Sequence, residues 1–202
     1  MQKQRRLVCI VEGKGEVQAI PNLCARILVS LSAHQWFVEK EPIRRPRGQL
    51  VDERVKSPRR PCREDGVHKA LEIAAARRPD AILVTCDADD DCPGAWAASI
   101  ASTQRRSTPT AAVMAVREFE AWLLWGHSEA ELARIKASDP DRIRNAKGKL
   151  EKLVAGYEPT THQLALTRNI DIQRLRGRSR SFDKLVRTLG ALCDVPVPSR
   201  PA

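Results

Sequence analysis

No stretch of this chain stays apolar long enough to cross a bilayer. The first hydrophobic run stops at Val11, too short for a signal-peptide core, and no later run is long enough to span. The expectation is a cytoplasmic protein with no membrane partner. The six cysteines (9, 24, 62, 86, 92 and 193) include no CxxC pair and no zinc-finger spacing. Cys86 and Cys92 bracket an acidic cluster and could cross-link, but in the cytosol two reduced thiols are the simpler reading. The four histidines (34, 68, 127 and 162) are scattered, with no HExxH among them. Gly13-Lys14-Gly15-Glu16 lacks the GxxxxGK[ST] frame of a P-loop. Asp87-Ala88-Asp89-Asp90-Asp91 begins like an EF-hand loop, yet Cys92 stands where glycine is needed and Ala98 where the bidentate glutamate belongs. No internal repeat is present.

Acids are also in deficit. With 35 Lys+Arg against 25 Asp+Glu, the chain of 202 residues carries a formal charge of +10. A basic surface attracts polyanions, nucleic acid first, although an Arg-rich protein can be basic for solubility alone. Hydrophobic content of 42% is enough for a packed core.

The pattern of apolar runs predicts β-α-β-α-β-α-β. "RLVCIV" ends at Glu12-Gly13 and reads as a buried strand. A helix over roughly 16–31 requires Pro21 in its first turn. "QWFVEKEPI" is a second strand, "EDGVHKALEIAAARRP" a helix, "DAILVTC" a third strand, "PGAWAASIASTQRR" a helix and "TAAVMAV" a fourth strand. This order implies a mostly parallel sheet with helices on both faces. Residues 44–65, rich in Pro and Arg, read as a loop or ragged hairpin. Beyond Val116 only short helices are evident. The division expected is an α/β unit over 1–116 and an α-helical part over 117–202 packed on it. Trp36, Trp96, Trp122 and Trp125 read as core rather than base-stacking platforms.

The acids are not evenly spread. In a parallel sheet, ligands bind beyond the carboxyl ends of the strands. The first strand ends at Glu12, with Glu16 one helical turn on. The third ends at Asp87, with Asp89 two residues on. The fourth ends near Glu118 and Glu120. Each alone has a bland reading: a strand-to-helix turn with Glu16 favouring the helix start, a solvated turn with an Asp cap, or surface acids. Together they predict one wall of a divalent-cation site. Mg²⁺ takes few protein carboxylates, and two metals about 4 Å apart need a larger set such as this one.

A Glu ending the first strand and a DxD after a later one resemble the Toprim signature. The Glu12/Glu16 spacing is similar to that of the overcoming-lysogenisation-defect nucleases. Their SxxE matches Arg117-Glu118-Phe119-Glu120, with Arg in place of Ser. More broadly, "VEGKGE", "DADDD", "EFEAWLL", Lys147 in "AKGKL" and "RSRSFDKL" resemble a family of small bacterial Toprim-like proteins of unassigned function. The resemblance implies an α/β Toprim-like fold and nuclease chemistry on DNA or RNA with Mg²⁺ or Mn²⁺. It further implies a role in phage defence beside an ATPase partner. In that reading Asp87, Asp89, Glu16 and Glu120 are metal ligands, and Glu12 is a ligand or a general acid/base. Lys147 meets phosphate charge in the transition state. Arg44, Arg45, Arg47, Arg59, Arg60, Arg176, Arg178 and Arg180 track the nucleic-acid backbone. Two other readings stand beside it. A strand ending in DxD is similar to the haloacid-dehalogenase phosphatases, although Asp91 stands where those carry Thr or Val. A non-catalytic partner module of an ATPase would also retain the acids.

Overall fold

The structure is a computed structural model describing residues 4–50, 67–102 and 108–201. Its centre is a parallel sheet. Strand β1 (Arg5–Val11) lies beside β4 (Ala81–Asp87), which lies beside β5 (Thr110–Ala115). On the other side of β1 run two short strands in succession, β2 (Trp36–Val38) along Arg5–Leu7 and β3 (Ile43–Arg44) along Ile10–Val11. The single strand expected over "QWFVEKEPI" is therefore broken. Pro42 has no amide hydrogen to give a ladder, and the charged Glu39-Lys40-Glu41 separates the two pieces.

The strands are buried on both faces, which is why they read as unbroken apolar runs rather than alternating ones. Side chains still alternate. Leu7, Cys9 and Val11 of β1 join Leu83, Val113 and Ala115 on one face, while Val8 and Ile10 join Ile82, Val84 and Met114 on the other. The second face is covered by α2 (Val67–Ala76) and α3 (Pro93–Ser102), through Ala70, Leu71, Trp96 and Ile100.

Helix α1 (Glu16–Ser30) covers the first face with Ala19, Ile20, Leu23, Cys24, Ile27 and Leu28. Pro21 is its sixth residue, not part of its first turn. An internal proline costs a helix about 3 kcal/mol. Six buried side chains at helical spacing, each contributing roughly 1.5–3 kcal/mol for the larger ones, outweigh that. The helix stops where Ser32 takes φ 58, with the amides of Ser32 and Ala33 closing on the carbonyls of Val29 and Leu28.

After β5 the chain is helical: α4 (Phe119–Leu124), α5 (Glu129–Arg134), α6 (Ala146–Leu150), α7 (Pro159–Arg168), α8 (Ile172–Arg178) and α9 (Arg180–Cys193). These helices have no core of their own. Phe119, Trp122, Phe182, Leu185 and Leu189 belong to the same apolar cluster as α1 and the first sheet face. Trp122 meets Phe119 and Phe182 edge to face and donates its indole N–H to Ser181 Oγ at 2.8 Å. Arg26 of α1 donates to the carbonyls of Thr167 (2.5 Å) and Ile170 (2.6 Å), closing the end of α7. Trp36, Trp96 and Trp122 are buried.

Among the described residues no helix is long and apolar enough to cross a membrane. The five described cysteines, Cys86 and Cys92 among them, are free thiols; Cys62 lies outside the described residues.

Candidate functional site

Parallel pairing brings the carboxyl ends of β1, β4 and β5 to one edge, and the acids that follow them come together there. Glu16 is the first residue of α1 and is buried. Its carboxylate turns back over the β1–α1 turn and accepts from the amides of Gly13 (3.1 Å) and Glu12 (3.4 Å). A Cβ on Gly13 would stand 2.6 Å from Glu16 Oε1, so the close approach of carboxylate to backbone requires glycine. Asp87, the last residue of β4, accepts at Oδ1 from the amide of Phe119 (2.7 Å), the first residue of α4. Glu120, also buried, accepts at Oε1 from Tyr157 Oη (3.0 Å) and Gln163 Nε2 (3.1 Å). Glu118 accepts from the amide of Lys147 at 2.9 Å.

Glu16, Asp87, Asp89, Glu118 and Glu120 line one cleft of about 510 Å³. Lys14, Asn145, Lys147, Thr160 and Gln163 line it as well. Burial first, then the neighbouring Glu12 charge, pushes the Glu16 carboxyl up to about 8. Burial first, then Glu16, Glu12 and Glu120, holds Asp87 well above the ordinary carboxylate range. Burial also raises Glu118. Carboxylates at close quarters in low dielectric resist ionising together, and a bound cation relieves that strain.

The donor set is all oxygen, which suits Mg²⁺ or Mn²⁺ and not a thiolate-seeking metal. Among the described residues no three His, Cys, Asp or Glu side chains are preset as a ligand cage. Glu16 and Asp87 are held instead on backbone amides. Mg²⁺ needs only one or two direct carboxylates, keeping waters for its other positions.

Glu12 stands one layer behind the cleft. Its Oε2 accepts from the Cys86 thiol (2.8 Å) and the Asp87 amide (3.2 Å), and lies 3.7 Å from Arg47 Nη1. It ties the end of β1 to the end of β4.

The four aspartates of the β4 loop divide into two pairs. Asp87 and Asp89 face the cleft. Asp91 is 2.5 Å from Arg47 Nη2, and Asp90 is paired with Arg117 (2.8 Å) and Arg144 (3.2 Å). The positive charge on this cluster is therefore partly the protein's own. Asp89 and Arg117 both take positive φ, 46 and 61, and the Asp89 amide donates to the Arg117 carbonyl at 2.9 Å. The loop is over-determined, as strained backbone must be to persist.

Two of the arginines expected to hold nucleic acid are placed elsewhere. Arg47 spends its guanidinium on Asp91, on the Asp87 carbonyl and on the Ala88 carbonyl (3.0 Å). Arg176 has no exposed side-chain surface: it pairs with Asp183 at 3.1 Å and donates to the Pro198 carbonyl at 2.7 Å. It faces inward because 172–178 is a helix, which the density of Arg concealed, and one side of that helix must be buried. Arg178 pairs with Glu129 and lies over the Trp125 ring. Arg44 and Arg180 are exposed and Arg45 is half-buried. Arg59 and Arg60 lie outside the described residues.

Sequence reasoning missed Tyr157, Gln163 and Asn145. Tyr157 is the only tyrosine of the chain, and a lone tyrosine has no period to flag it. Gln163 sits in an unremarkable helical stretch, and only the packing of α7 against α1 brings it to the acids.

No curated protein and no solved structure matches the chain. The family profile described as "Domain of unknown function (DUF4276)" matches residues 11–190, a span holding every carboxylate of the cleft as well as Lys147, Tyr157 and Gln163, and on that match the chain belongs to the DUF4276 family.

Proposed function

We propose that this protein is a Mg²⁺- or Mn²⁺-dependent nuclease of Toprim-like type, acting on the phosphodiesters of DNA or RNA. The observation that carries the reading is the meeting of Glu16, Asp87, Asp89 and Glu120, from three strand ends, in a cleft that also holds Lys147. Hard carboxylate oxygens suit a divalent cation, and a lysine in the same cleft suits a phosphate. A bound cation supplies charge stabilisation for phosphoryl transfer. Lys147 sits in the first turn of α6 with its amide fixed by Glu118, so its ammonium is presented from an anchored backbone. The net charge of +10 draws a polyanion toward the cleft despite the acids. Cytoplasmic placement, a part in phage defence and an ATPase partner belong to the same proposal; the last two rest on the Toprim-like resemblance.

Plasmid DNA and labelled RNA are incubated with the protein in Mn²⁺, in Mg²⁺ and in chelator, in parallel with Asp87→Asn/Asp89→Asn. Calorimetry measures Mn²⁺ binding to both proteins. Metal-dependent cleavage lost in the double variant, with the Mn²⁺ heat lost too, is the expected result. Equal Mn²⁺ heats in the two proteins would remove the metal site and the nuclease reading with it.

A further inference from the structure

Gln163 has one end of its amide in use and the other empty. The side chain is 4% exposed. Its Nε2 donates to Glu120 Oε1 at 3.1 Å, while its Oε1 has no hydrogen-bond partner among the described residues. The amide cannot be turned over to mend this, because its oxygen would then face the Glu120 oxygen, acceptor against acceptor. A buried acceptor without a donor is costly and rare in a folded protein.

Gly15 is shaped around that oxygen. A Cβ placed on Gly15 would stand 2.4 Å from Gln163 Oε1, 2.7 Å from its Cδ and 2.7 Å from the Pro159 carbonyl carbon at the start of α7. The backbone of Gly15 is ordinary right-handed helix, φ −68 and ψ −34, open to any residue. Glycine is needed here for space alone. The two glycines of Glu12-Gly13-Lys14-Gly15-Glu16 thus do parallel work: one admits the Glu16 carboxylate, the other the Gln163 carbonyl. Both Gly15 and Gln163 line the acidic cleft.

We infer that Gln163 is a further oxygen acceptor of this site, its carbonyl accepting a hydrogen bond from the hydration shell of a divalent cation held by the carboxylates. The inference rests on the metal reading above. The occupant must bring hydrogen-bond donors to Oε1 and positive charge to Glu16, Asp87 and Glu120. A hydrated Mg²⁺ or Mn²⁺ brings both, since such ions keep several waters when protein-bound. Tyr157 donates to Glu120 Oε1 and stands within hydrogen-bonding reach of the Gln163 side chain as well.

The test is Mn²⁺ calorimetry on the full chain and on Tyr157→Phe, Gln163→Met and Gly15→Ala, with metal-free melting followed alongside. Tyr157→Phe removes a support of Glu120 and is expected to weaken Mn²⁺ binding less than 10-fold. Gln163→Met, of similar shape, removes that support and the carbonyl together. It is expected to weaken binding about 10- to 100-fold, the usual effect of losing a partner of the metal's ligands. Gly15→Ala keeps every oxygen of the chain but crowds both the Gln163 amide and the Pro159 backbone at the start of α7, and is expected to weaken binding at least as much as Gln163→Met. It also serves should Gln163→Met not fold. If Gln163→Met is no worse than Tyr157→Phe, Gln163 acts only through Glu120 and the inference falls. If Gln163→Met and Gly15→Ala both bind as tightly as the unaltered chain, it falls while the metal reading stands. If the unaltered chain binds no Mn²⁺, both fall.

Discussion

Arg47 Nη2 lies 2.5 Å from Asp91 Oδ2, across 44 residues of sequence. The same guanidinium takes the carbonyls of Asp87 and Ala88 and stands 3.3 Å from Asp89 Oδ2. One arginine thereby fixes the loop that presents Asp87 and Asp89 to the cleft. Arg47→Ala removes one donor from each of two carbonyls and the charged partner of the Asp91 carboxylate, and is expected to cost on the order of 3 kcal/mol. Arg47→Lys restores little, because an ammonium cannot reproduce the fork. The salt dependence of nucleic-acid binding should not change in either variant, since Arg47 meets no phosphate. Arg44→Ala should flatten it, by up to about 0.9 per lost contact on duplex DNA. A salt slope altered by Arg47→Lys at unchanged melting temperature would return Arg47 to the nucleic-acid surface.

The acidic cleft is expected to make stability fall as the pH rises. The Glu16 carboxyl is raised from 4.5 to about 8, by burial before all else. A carboxyl whose folded value is raised contributes stability fully present below its unfolded value and lost as the pH climbs through the folded one. The metal-free protein is thus expected to melt at progressively lower temperature between pH 4.5 and 8. Glu16→Gln keeps an acceptor for the Gly13 amide, removes the ionisation and should flatten that decline. Mn²⁺ displaces the proton, so its stabilising effect should grow over the same interval. Melting curves across pH, with and without Mn²⁺, decide it. A Glu16→Gln protein with an undiminished pH slope would take Glu16 out of the explanation.

The strands and the edge at which they end were legible because a buried parallel strand leaves a short β-branched run, and Glu12, Asp87 and Glu118 stand where those runs stop. The broken second strand was less so: Pro42 marked a flaw in the run but not that both pieces share one neighbour. Arg47 and Arg176 were misread for one reason. An arginine bound to carboxylates and carbonyls looks, in sequence, like one waiting for phosphate. What separates them is whether the chain returns an acid to within reach, and Asp91 and Asp183 do so through tertiary structure and through the break between α8 and α9 respectively. Gln163 was out of reach for a like cause, as α7 and α1 lie more than a hundred residues apart where they touch.

Glu12→Gln separates a brace from a proton carrier. Glu12 Oε2 receives the Cys86 thiol and the Asp87 amide, both donors. The amide oxygen of Gln can serve one face of that arrangement, and the charge that faces Arg47 is lost. A loss of about 1–2 kcal/mol in stability and a weakening of Mn²⁺ binding through Asp87 are expected. Nucleic-acid cleavage should fall in step with metal affinity and recover at high Mn²⁺. A fall of 100-fold or more that Mn²⁺ does not recover, at unaltered metal affinity, is the behaviour of a general acid/base and would move Glu12 into the chemistry.

Lys147→Ala probes a cationic side chain of the cleft. Its amide is held by Glu118 whatever the side chain, so α6 should keep its place and the melting temperature should not move. Lys147 lines the cleft with the carboxylates, where its ammonium is expected to add nothing to cation binding and to lower the charge cost of a phosphate. Mn²⁺ affinity should therefore be unchanged or slightly tighter, with one repelling positive charge gone. Turnover on nucleic acid should drop by about 10²- to 10³-fold, the scale of losing one preorganised donor to developing charge. Lys147→Arg keeps the charge but not the compact ammonium, and should recover part of the loss. If Lys147→Ala instead weakens Mn²⁺ binding as strongly as Asp87→Asn does, the lysine is structural to the acid cluster. The division of the cleft into carboxylates for the cation and a lysine for the phosphate would then have to be given up.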